Sequence, residues 1–550
     1  MTPSNQSIEL QKLYESYSAK NPSRPLLCPS PIDLGDGLIL RRCQQSDRNE
    51  LAAFNARIHF PAVGRYTLDA FDGDLNEGLG LRHPTFNVDC ITVVVDSKKE
   101  ATGNSIVSSV FSIPQIWFYG TPDASASTQE EAIKSYIPLV VTRPEAVGTD
   151  EGYRGSALIK KHMDVHHKWA QDLNSSIQFI GGMPLYYSRF GYDLAPPRMG
   201  GFSGNKETIS VLITAYKQKL EKDSSLPRLA FRRATSADAS FLARLVRINF
   251  GKREGVWTDI PEQYWVDLFD TRQRGSLSSH EVFVLGRLGS DSSLERKTVG
   301  FVQLNSMSGH VSIFEVDQDV VSWTDATTVL FEWLQEYQLR HAANKKEITR
   351  APLILPSSQT SELPPLTQPS AINVPSEILP EDWAFKLLLG ASHPCYTSIP
   401  KTTTIPIEIK PYYWYTRISH LPSFLQKITP VLNHRLKTSL TFSQFTGTIA
   451  IMFSFHSAAG NVPILEIKNG QLETVKEADA SWSRQDLVTK GRVGYLAMCH
   501  GTSWMRMVLG HRTASEIQEN GDLVVLDQSV VQVLDVLFPR MRVDNIVGLD

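Results

Sequence analysis

The chain has 550 residues, 41% of them hydrophobic and 21% charged, the make-up of a folded protein of about three or four domains, each large enough to bury a core. Its 55 basic and 58 acidic side chains leave a net charge of −3, which gives no overall pull towards nucleic acid or an anionic membrane. Five cysteines (Cys28, Cys43, Cys90, Cys395 and Cys499) are odd in number, widely spaced and free of any CxxC pair, so neither a disulfide framework nor a structural zinc site is expected, and a reducing, cytoplasmic compartment fits. The opening residues lack the apolar core of a signal peptide, and no apolar run is long enough to span a bilayer.

Residues 1–36, rich in Pro and Ser, are expected to form an N-terminal arm. "GLILRRCQQSDRNELAAFNARIHF" (37–60) reads as a strand, a turn at Ser46-Asp47 and a helix, with Asp47 as N-cap and Glu50 completing a capping box. "CITVVVDS" and "SIVSSVFSIPQIWFYG" are β-branched and aromatic and predict strands, with "KKEATGN" as the turn between them.

The opening pattern then recurs. "LAFRRATSADASFLARLVRINF" (229–250) matches residues 38–59 at a constant shift of 229 − 38 = 191: Arg232-Arg233 fall on Arg41-Arg42, Asp238 on Asp47 and Leu242-Ala243 on Leu51-Ala52. Two unrelated units with shared capping chemistry would give some of these matches; the ungapped register favours an internal duplication. The second copy continues through "TVGFVQLN" and "HVSIFEV" to the helix "TTVLFEWLQEYQLRHA", with no glycine-rich turn before that helix, so it reads as a relative that lost its ligand site. Residues 351–380, rich in Pro, Ser and Thr, read as a linker or long loop. From about 415 the pattern changes to a helix, "LPSFLQKITPVLNHRL", short strands such as "PILEIKN", and apolar helical segments, a small α+β unit.

The stretch that carries chemistry is "VGTDEGYRGSALI" (147–159), a strand end, a glycine turn and a helix start. The first N–H groups of a helix lack intrahelical partners and its dipole favours an anion there, so the turn suits phosphate. Gly152 and Gly155 allow close backbone approach, Ala157 is small and Arg154 adds charge. The glycine order excludes the dinucleotide fingerprint, and the missing Lys excludes the P-loop. A pyrophosphate lying across the helix start and a plain tight turn both remain. The helix itself is amphipathic to about Gln171, with Leu158, Val165 and Trp169 on one face and Lys160, Lys161, Asp164 and Lys168 opposite. His162 and His166 have the i, i+4 spacing of a metal pair, but no third ligand follows, and two hydrogen-bonded core histidines are expected instead. No metal is expected. "SIQFIGGMPLYYSRFGYDLA" (176–195) then predicts a second strand, a Gly181-Gly182 break and a cluster of Tyr186, Tyr187 and Tyr192 beside a cleft.

"VGTDEGYRGSAL" followed by "PLYYSRFGYD" resembles the GNAT superfamily of acetyl-CoA-dependent N-acyltransferases, whose turn reads Gln/Arg-x-x-Gly-x-Gly/Ala; here it is Gly152-Tyr153-Arg154-Gly155-Ser156-Ala157, with Gly152 departing from the first position. "GGMPLYYSRFGYDLA" and "YYWYTRISHLPSFLQKITPVLNHRL" resemble the enhanced-intracellular-survival (Eis-type) acetyltransferases. The resemblance implies an α+β (α/β) chain of two tandem GNAT-like mixed-sheet domains, a catalytic one at 37–225 and a degenerate one at 226–414, before a sterol-carrier-protein-like domain at 415–550. It implies acetyl-CoA as co-substrate, held through the backbone of Glu145, Ala146 and Val147 at the pantetheine arm and of Tyr153, Arg154, Gly155, Ser156, Ala157 and Leu158 at the pyrophosphate, with Gly182 and Met183 near the thioester. Tyr187 takes the place of the general acid, and the terminal carboxylate of Asp550 that of the general base. The apolar ending "NIVGLD" agrees with a docked tail; an ordinary final strand is the other reading, and Glu145 is then the alternative base. The expected acceptor is the amine of a small molecule or a lysine-like group, with no nucleic-acid or membrane partner; the resemblance points to a homo-oligomer. The runner-up functions are a non-catalytic acyl-CoA or lipid-binding protein, favoured by Gly152, and a GNAT fold recruited to other biosynthetic chemistry.

Overall fold

The protein's computed structural model describes residues 5–18, 21–75, 83–198, 200–223, 228–271, 276–277, 279–288, 294–305, 308–348, 384–390, 393–397, 407–453, 462–479 and 494–544. The linker expected at 351–380 and the terminal Asp550 lie outside them.

The first sheet opens as an antiparallel meander: β1 (Ile32–Gly35), β2 (Leu38–Arg42), β3 (Ile91–Asp96), β4 (Ile106–Gly120) and β5 (Tyr136–Thr149) pair in chain order. Every residue of β3 and β4 is buried, because both faces of these apolar strands are covered. The expected arm carries a helix, α1 (Asn5–Tyr17), tied down where Tyr14 Oη donates to Asp259 Oδ2 at 2.9 Å and Tyr17 Oη donates to the Leu173 carbonyl at 2.6 Å. α2 (Arg48–Ile58) and α3 (Pro61–Leu75) follow β2, and α4 (Gln129–Ile133) sits in the β4–β5 connection. α5 (Leu158–Asp172) crosses from β5 to the parallel strand β6 (Ile177–Ile180).

The duplication is built into the ion pairs. Arg41 grips Asp47 with both guanidinium ends (2.7 and 2.8 Å), and Arg232 grips Asp238 the same way (2.8 and 2.7 Å), each at the turn between strand and helix. Asp47 does not cap α2 as expected from sequence. Its carboxylate reaches backwards to the Gln44 N–H, closing the preceding 3-10 turn, just as Asp238 reaches back to Thr235 N–H. Glu50 is not its capping partner either: it accepts the Ile106 N–H at 2.6 Å and tethers α2 to β4.

The two copies exchange strands. β7 (Asp193–Arg198) closes the edge of the first sheet, but β8 (Gly201–Asn205) and α6 (Lys206–Lys222) pack into the second, whose order is β15-β8-β14-β13-β12-β11-β9. Its other strands are β9 (Leu229–Arg233), β11 (His280–Leu288), β12 (Leu294–Asn305), β13 (Val311–Val316), β14 (Ala384–Leu387) and β15 (Ile407–Ile409), while β10 (Val256–Thr258), after α7 (Ala239–Arg253), pairs with β4. The chain returns at β16 (Tyr412–Arg417), which inserts between β6 and β7 of the first sheet. Strand pairing therefore crosses the boundaries drawn at 225 and 414. The crossing backbones are so close that a Cβ on Gly201 would lie 1.8 Å from the Leu387 carbonyl oxygen.

The C-terminal unit is a five-stranded mixed sheet, with β17 (Gly447–Phe453) parallel to β20 (Tyr495–Cys499) and flanked by β18 (Pro463–Lys468), β19 (Gln471–Glu477) and β21 (Leu523–Val525). The helix Leu421–Thr438 joins this sheet to the first in one core: Phe424, Ile428 and Leu432 pack with Trp117, Phe179 and Ile449. β22 (Val543–Asp544) then pairs parallel with β10, bringing the end of the described chain back to the first sheet. No helix among the described residues is long and apolar enough to cross a membrane.

Candidate functional site

A cleft forms because two neighbouring strands part. β5 and β6 pair only at Val141–Ile177 and Thr142–Gln178, after which β5 runs on to Thr149 beside β4 alone. The β4–β5 register also slips there. Ser109 faces Gly148 and Phe111 faces Glu145, so Val110 stands opposite two residues, Ala146 and Val147, and Ala146 takes a φ of +47°. This is a β-bulge, a device that bends a strand and re-aims its groups. The predicted residues Glu145, Ala146 and Val147 are the bulge and its flank.

Past β5 the chain makes the glycine turn. Asp150 N–H is held by the Val107 carbonyl at 2.8 Å, and Glu151–Tyr153 form a 3-10 turn. Tyr153 anchors it: its hydroxyl donates to Asp96 Oδ2 at 2.6 Å, and the Lys99 ammonium sits 4.8 Å from its ring centre. Gly155 then adopts φ +89° and Ala157, the N-cap of α5, φ +56°. Alanine has no side chain with which to cap, and intrahelical bonding starts with Lys161 N–H to the Ala157 carbonyl at 3.2 Å. The N–H groups of Leu158, Ile159 and Lys160 precede that bond and stand open at the positive end of the dipole. Arg154, Gly155, Ser156 and Ala157 are all exposed, and a Cβ on Gly155 would meet nothing within 4 Å. Leu158 turns inwards onto Leu40 and Val94. An open, uncapped helix start beside an arginine is fitted to hold a pyrophosphate.

Across the cleft stands Tyr187, 6% exposed, in a 3-10 turn after β6. Its ring packs on Tyr186, Phe190, Tyr192 and Tyr415, and Met163, Ile180 and Val147 belong to the same cluster. Burial first, then the nearby Glu145 carboxylate, push its phenol far above the ordinary tyrosine value. Gly182 is glycine for a steric reason: a Cβ there would come within 2.3 Å of Tyr187 Cε2. The loop between them is held by the exchanged strand. Tyr412 Oη donates to the Gly182 carbonyl at 2.5 Å, and the Leu185 N–H donates to Tyr415 Oη. Met183 and Leu185 are exposed at the rim.

Glu145 is engaged by a buried arginine. Arg143 Nε donates to Glu145 Oε2 at 2.8 Å and Nη2 lies 2.5 Å from the same oxygen, while the guanidinium carbon sits 5.2 Å from the Trp414 ring centre. His59, directly after α2, lies against β5 from the other side: a Cβ on Gly148 would come within 3.1 Å of its Nε2, and burial lowers its pKa against the pull of the Glu145 charge. Arg143, His59, Trp414 and Tyr415 escaped the sequence reading. For His59 there was one signal, a histidine just beyond the helix of the copy that keeps the glycine turn.

Of the remaining candidates, His162 Nδ1 and His166 Nε2 both contact Thr92 Oγ1, at 2.7 and 2.8 Å, and burial lowers both pKa values, His166 to about 3. They are neutral core histidines bridged by a hydroxyl. Among the described residues no group of three or more His, Cys, Asp or Glu side chains is placed to hold a metal. The second copy carries a buried ion cluster on its sheet. Glu315 on β13 is gripped by Arg253 (2.6 and 3.0 Å) and Asn249 (2.7 Å) from α7, with His393 at 3.6 Å.

No protein-family model and no curated protein matches the sequence. Solved structures do match in three dimensions. A GCN5-related N-acetyltransferase from Anabaena variabilis ATCC 29413 superposes with a TM-score of 0.55 at 9% identity, and one from Kribbella flavida with 0.51 at 12%. A conserved protein of unknown function from Enterococcus faecalis V583 gives 0.55 at 11%. Each match covers 92% of this chain and 99% of the other. At such low identity what is shared is the fold, and the chain has the mixed α/β fold of the GCN5-related N-acetyltransferases over nearly its whole length.

Proposed function

We propose that the chain is an acyl-CoA-dependent N-acyltransferase working in its first unit. The observation that carries this reading is the conjunction of three things on one parted strand pair: the open N-terminus of α5, the bulge at Ala146-Val147, and the buried phenol of Tyr187 opposite. Acetyl-CoA supplies an activated acyl thioester. The backbone N–H groups of Leu158 to Lys160 and the Arg154 side chain hold its pyrophosphate, and the flank of β5 from Glu145 to Val147 lines its pantetheine arm. Gly182 and Met183 border the thioester.

Amine and cofactor bind together, and the amine attacks the carbonyl directly. A bulge N–H near Val147 stabilises the oxyanion. Tyr187 gives its proton to the departing thiolate; its raised pKa keeps that proton in place until the thiolate forms. The acceptor ammonium's proton leaves to a carboxylate, for which Asp550 and Glu145 are the candidates. The C-terminal unit is read as sterol-carrier-protein-like, and the enzyme as cytoplasmic. Thiol release from acetyl-CoA, followed against a panel of a polyamine, an aminoglycoside and a lysine peptide, tests the activity. Amine-dependent release is expected; binding of acetyl-CoA without release would favour the sensor reading, which the departure at Gly152 supports.

A further inference from the structure

Arg417 on β16 is a buried charge that the chemistry above does not use. It lies on the last rung before the cleft opens: Thr142 of β5 pairs with Gln178 of β6, and Gln178 pairs with Arg417. Side chains alternate across a strand. Ile180 and Tyr415 pack with Met163 of α5, so Gln178 and Arg417, each two residues along its strand, face α5 as well. His167, one turn after Met163, comes down on the same face, with its Nε2 3.2 Å from Tyr192 Oη.

This polar nest under α5 holds a cation and no anion. Arg417 is 8% exposed and Gln178 2%. Arg417 Nη1 donates to Gln178 Oε1 at 2.7 Å, the one hydrogen bond of this guanidinium among the described residues. Arg417 Nε and Gln178 Nε2 are both buried and have no acceptor among those residues. Burial lowers the guanidinium's pKa, but an arginine keeps its charge in a protein. His167 and Tyr192 add none: burial lowers His167 to about 3 and raises the Tyr192 phenol. The neighbouring carboxylates are engaged elsewhere. Asp193 of β7 pairs in register with Thr416, which puts it on the opposite face, where Arg506 Nη2 holds it at 3.1 Å. Asp164 and Asp172 of α5 pair with Lys160 and Lys168, and Glu145 pairs with Arg143.

A buried charge without a counter-charge is strongly destabilising, and a buried donor without an acceptor adds to that. The open edge of Arg417, Nε with Nη2, is the fork that takes two oxygens of a planar oxyanion side by side. We propose that this edge is a binding site for the carboxylate of a small acid. Nε and Nη2 donate to its two oxygens, and Gln178 keeps the guanidinium in place through Nη1. The site is separate from the start of α5, since His167 lies nine residues, about 13 Å, further along that helix than Leu158. It does not depend on the acyl-transfer reading.

The probe is trifluoroacetate, a carboxylate whose fluorine signal broadens when it binds a large protein. With the full chain the broadening should saturate and be reversed by acetate. It should persist in Gly155→Leu, which alters the start of α5, and vanish in Arg417→Met. Arg417→Lys keeps the charge and loses the fork, so affinity for the probe should fall about 10-fold, the loss of one hydrogen bond to a charged group. If Arg417→Met does not fold by circular dichroism, Arg417→Lys decides. No saturable broadening in wild type would overturn the proposal, as would wild-type affinity in either Arg417 variant. Loss of the signal in Gly155→Leu alone would overturn it by placing the anion at the start of α5. Chloride that displaces the probe as readily as acetate, at equal ionic strength, would also overturn it, because a fork built for two oxygens prefers a carboxylate.

Discussion

Tyr187 is held in a pocket of rings with Gly182 under its edge and Glu145 alongside, and this surrounding decides its chemistry more than its identity does. A phenol ordinarily loses its proton near pH ~10; burial and a neighbouring carboxylate both oppose the phenolate, so the hydroxyl keeps its proton at neutral pH. Tyr187→Phe removes one hydroxyl and keeps the ring's contacts. Turnover under conditions where chemistry limits should fall about 10²- to 10⁴-fold, with acetyl-CoA affinity unchanged; unaltered turnover would reduce Tyr187 to packing. Gly182→Ala should lower turnover as well, because the new methyl would have to displace the Tyr187 ring. Tyr187 was legible from the run PLYYSRFGYD and its resemblance. Arg143 was not, because its burial over the Trp414 ring depends on β16 returning to the first sheet, which no local pattern announces.

At the scale of elements, the glycine turn and α5 followed from local signals: two glycines, a small residue and a 3.6-residue apolar stripe. The strand exchange did not. β16 reads as a strand from YYWYTR, but its partner β6 lies more than 200 residues earlier, and nothing local names it. That pairing matters to the site. Trp414 on β16 is fully buried, meets Phe179 at 5.1 Å and stacks under the Arg143 that holds Glu145. Trp414→Ala should destabilise the protein by about 3–5 kcal/mol, the usual cost of emptying a large aromatic site. Urea denaturation followed by near-UV signals measures it; an unshifted midpoint would mean that the exchanged strand is not part of the first unit's core. The expected N-cap at Asp47 failed for a related reason. An acidic residue before a helix has two N–H groups within reach, and here the Arg41 clamp turns it backwards to Gln44.

For the whole molecule, burial leaves several histidines neutral. It lowers His166 and His167 to about 3, and His393 and His511 to about 4. A histidine whose folded pKa lies below its unfolded value of about 6.5 binds protons more readily when unfolded. Stability is therefore complete above pH ~6.5 and falls as the pH drops through the window down to about 3, by at most about 1.4 kcal/mol per pH unit for each such group. Glu315 acts in the same direction at lower pH. Burial alone would raise it, but Arg253 and His393 hold it at about 2, so its contribution is present above about 4.5 and is lost as the pH falls towards 2. Thermal melts from pH 7 to pH 3 should show a steady decline in midpoint; a flat profile across pH 6.5 to 4 would contradict the neutral histidines.

The duplication was legible in the repeated Arg-Arg and Asp register, and so was the absence of a glycine turn in the second copy; the ion cluster around Glu315 was not, since Arg253, Asn249 and His393 converge only in the folded chain. On the proposed function, one unit alone, through the start of α5, takes the acyl donor. Calorimetric titration of acetyl-CoA tests it most directly, in wild type and in Gly155→Leu. Leucine at φ +89° is strained and would fill the open space in front of the exposed N–H groups. One site per chain is expected in wild type and none in Gly155→Leu with the fold intact by circular dichroism; two sites, no site, or a Gly155→Leu variant that binds like wild type would contradict this assignment.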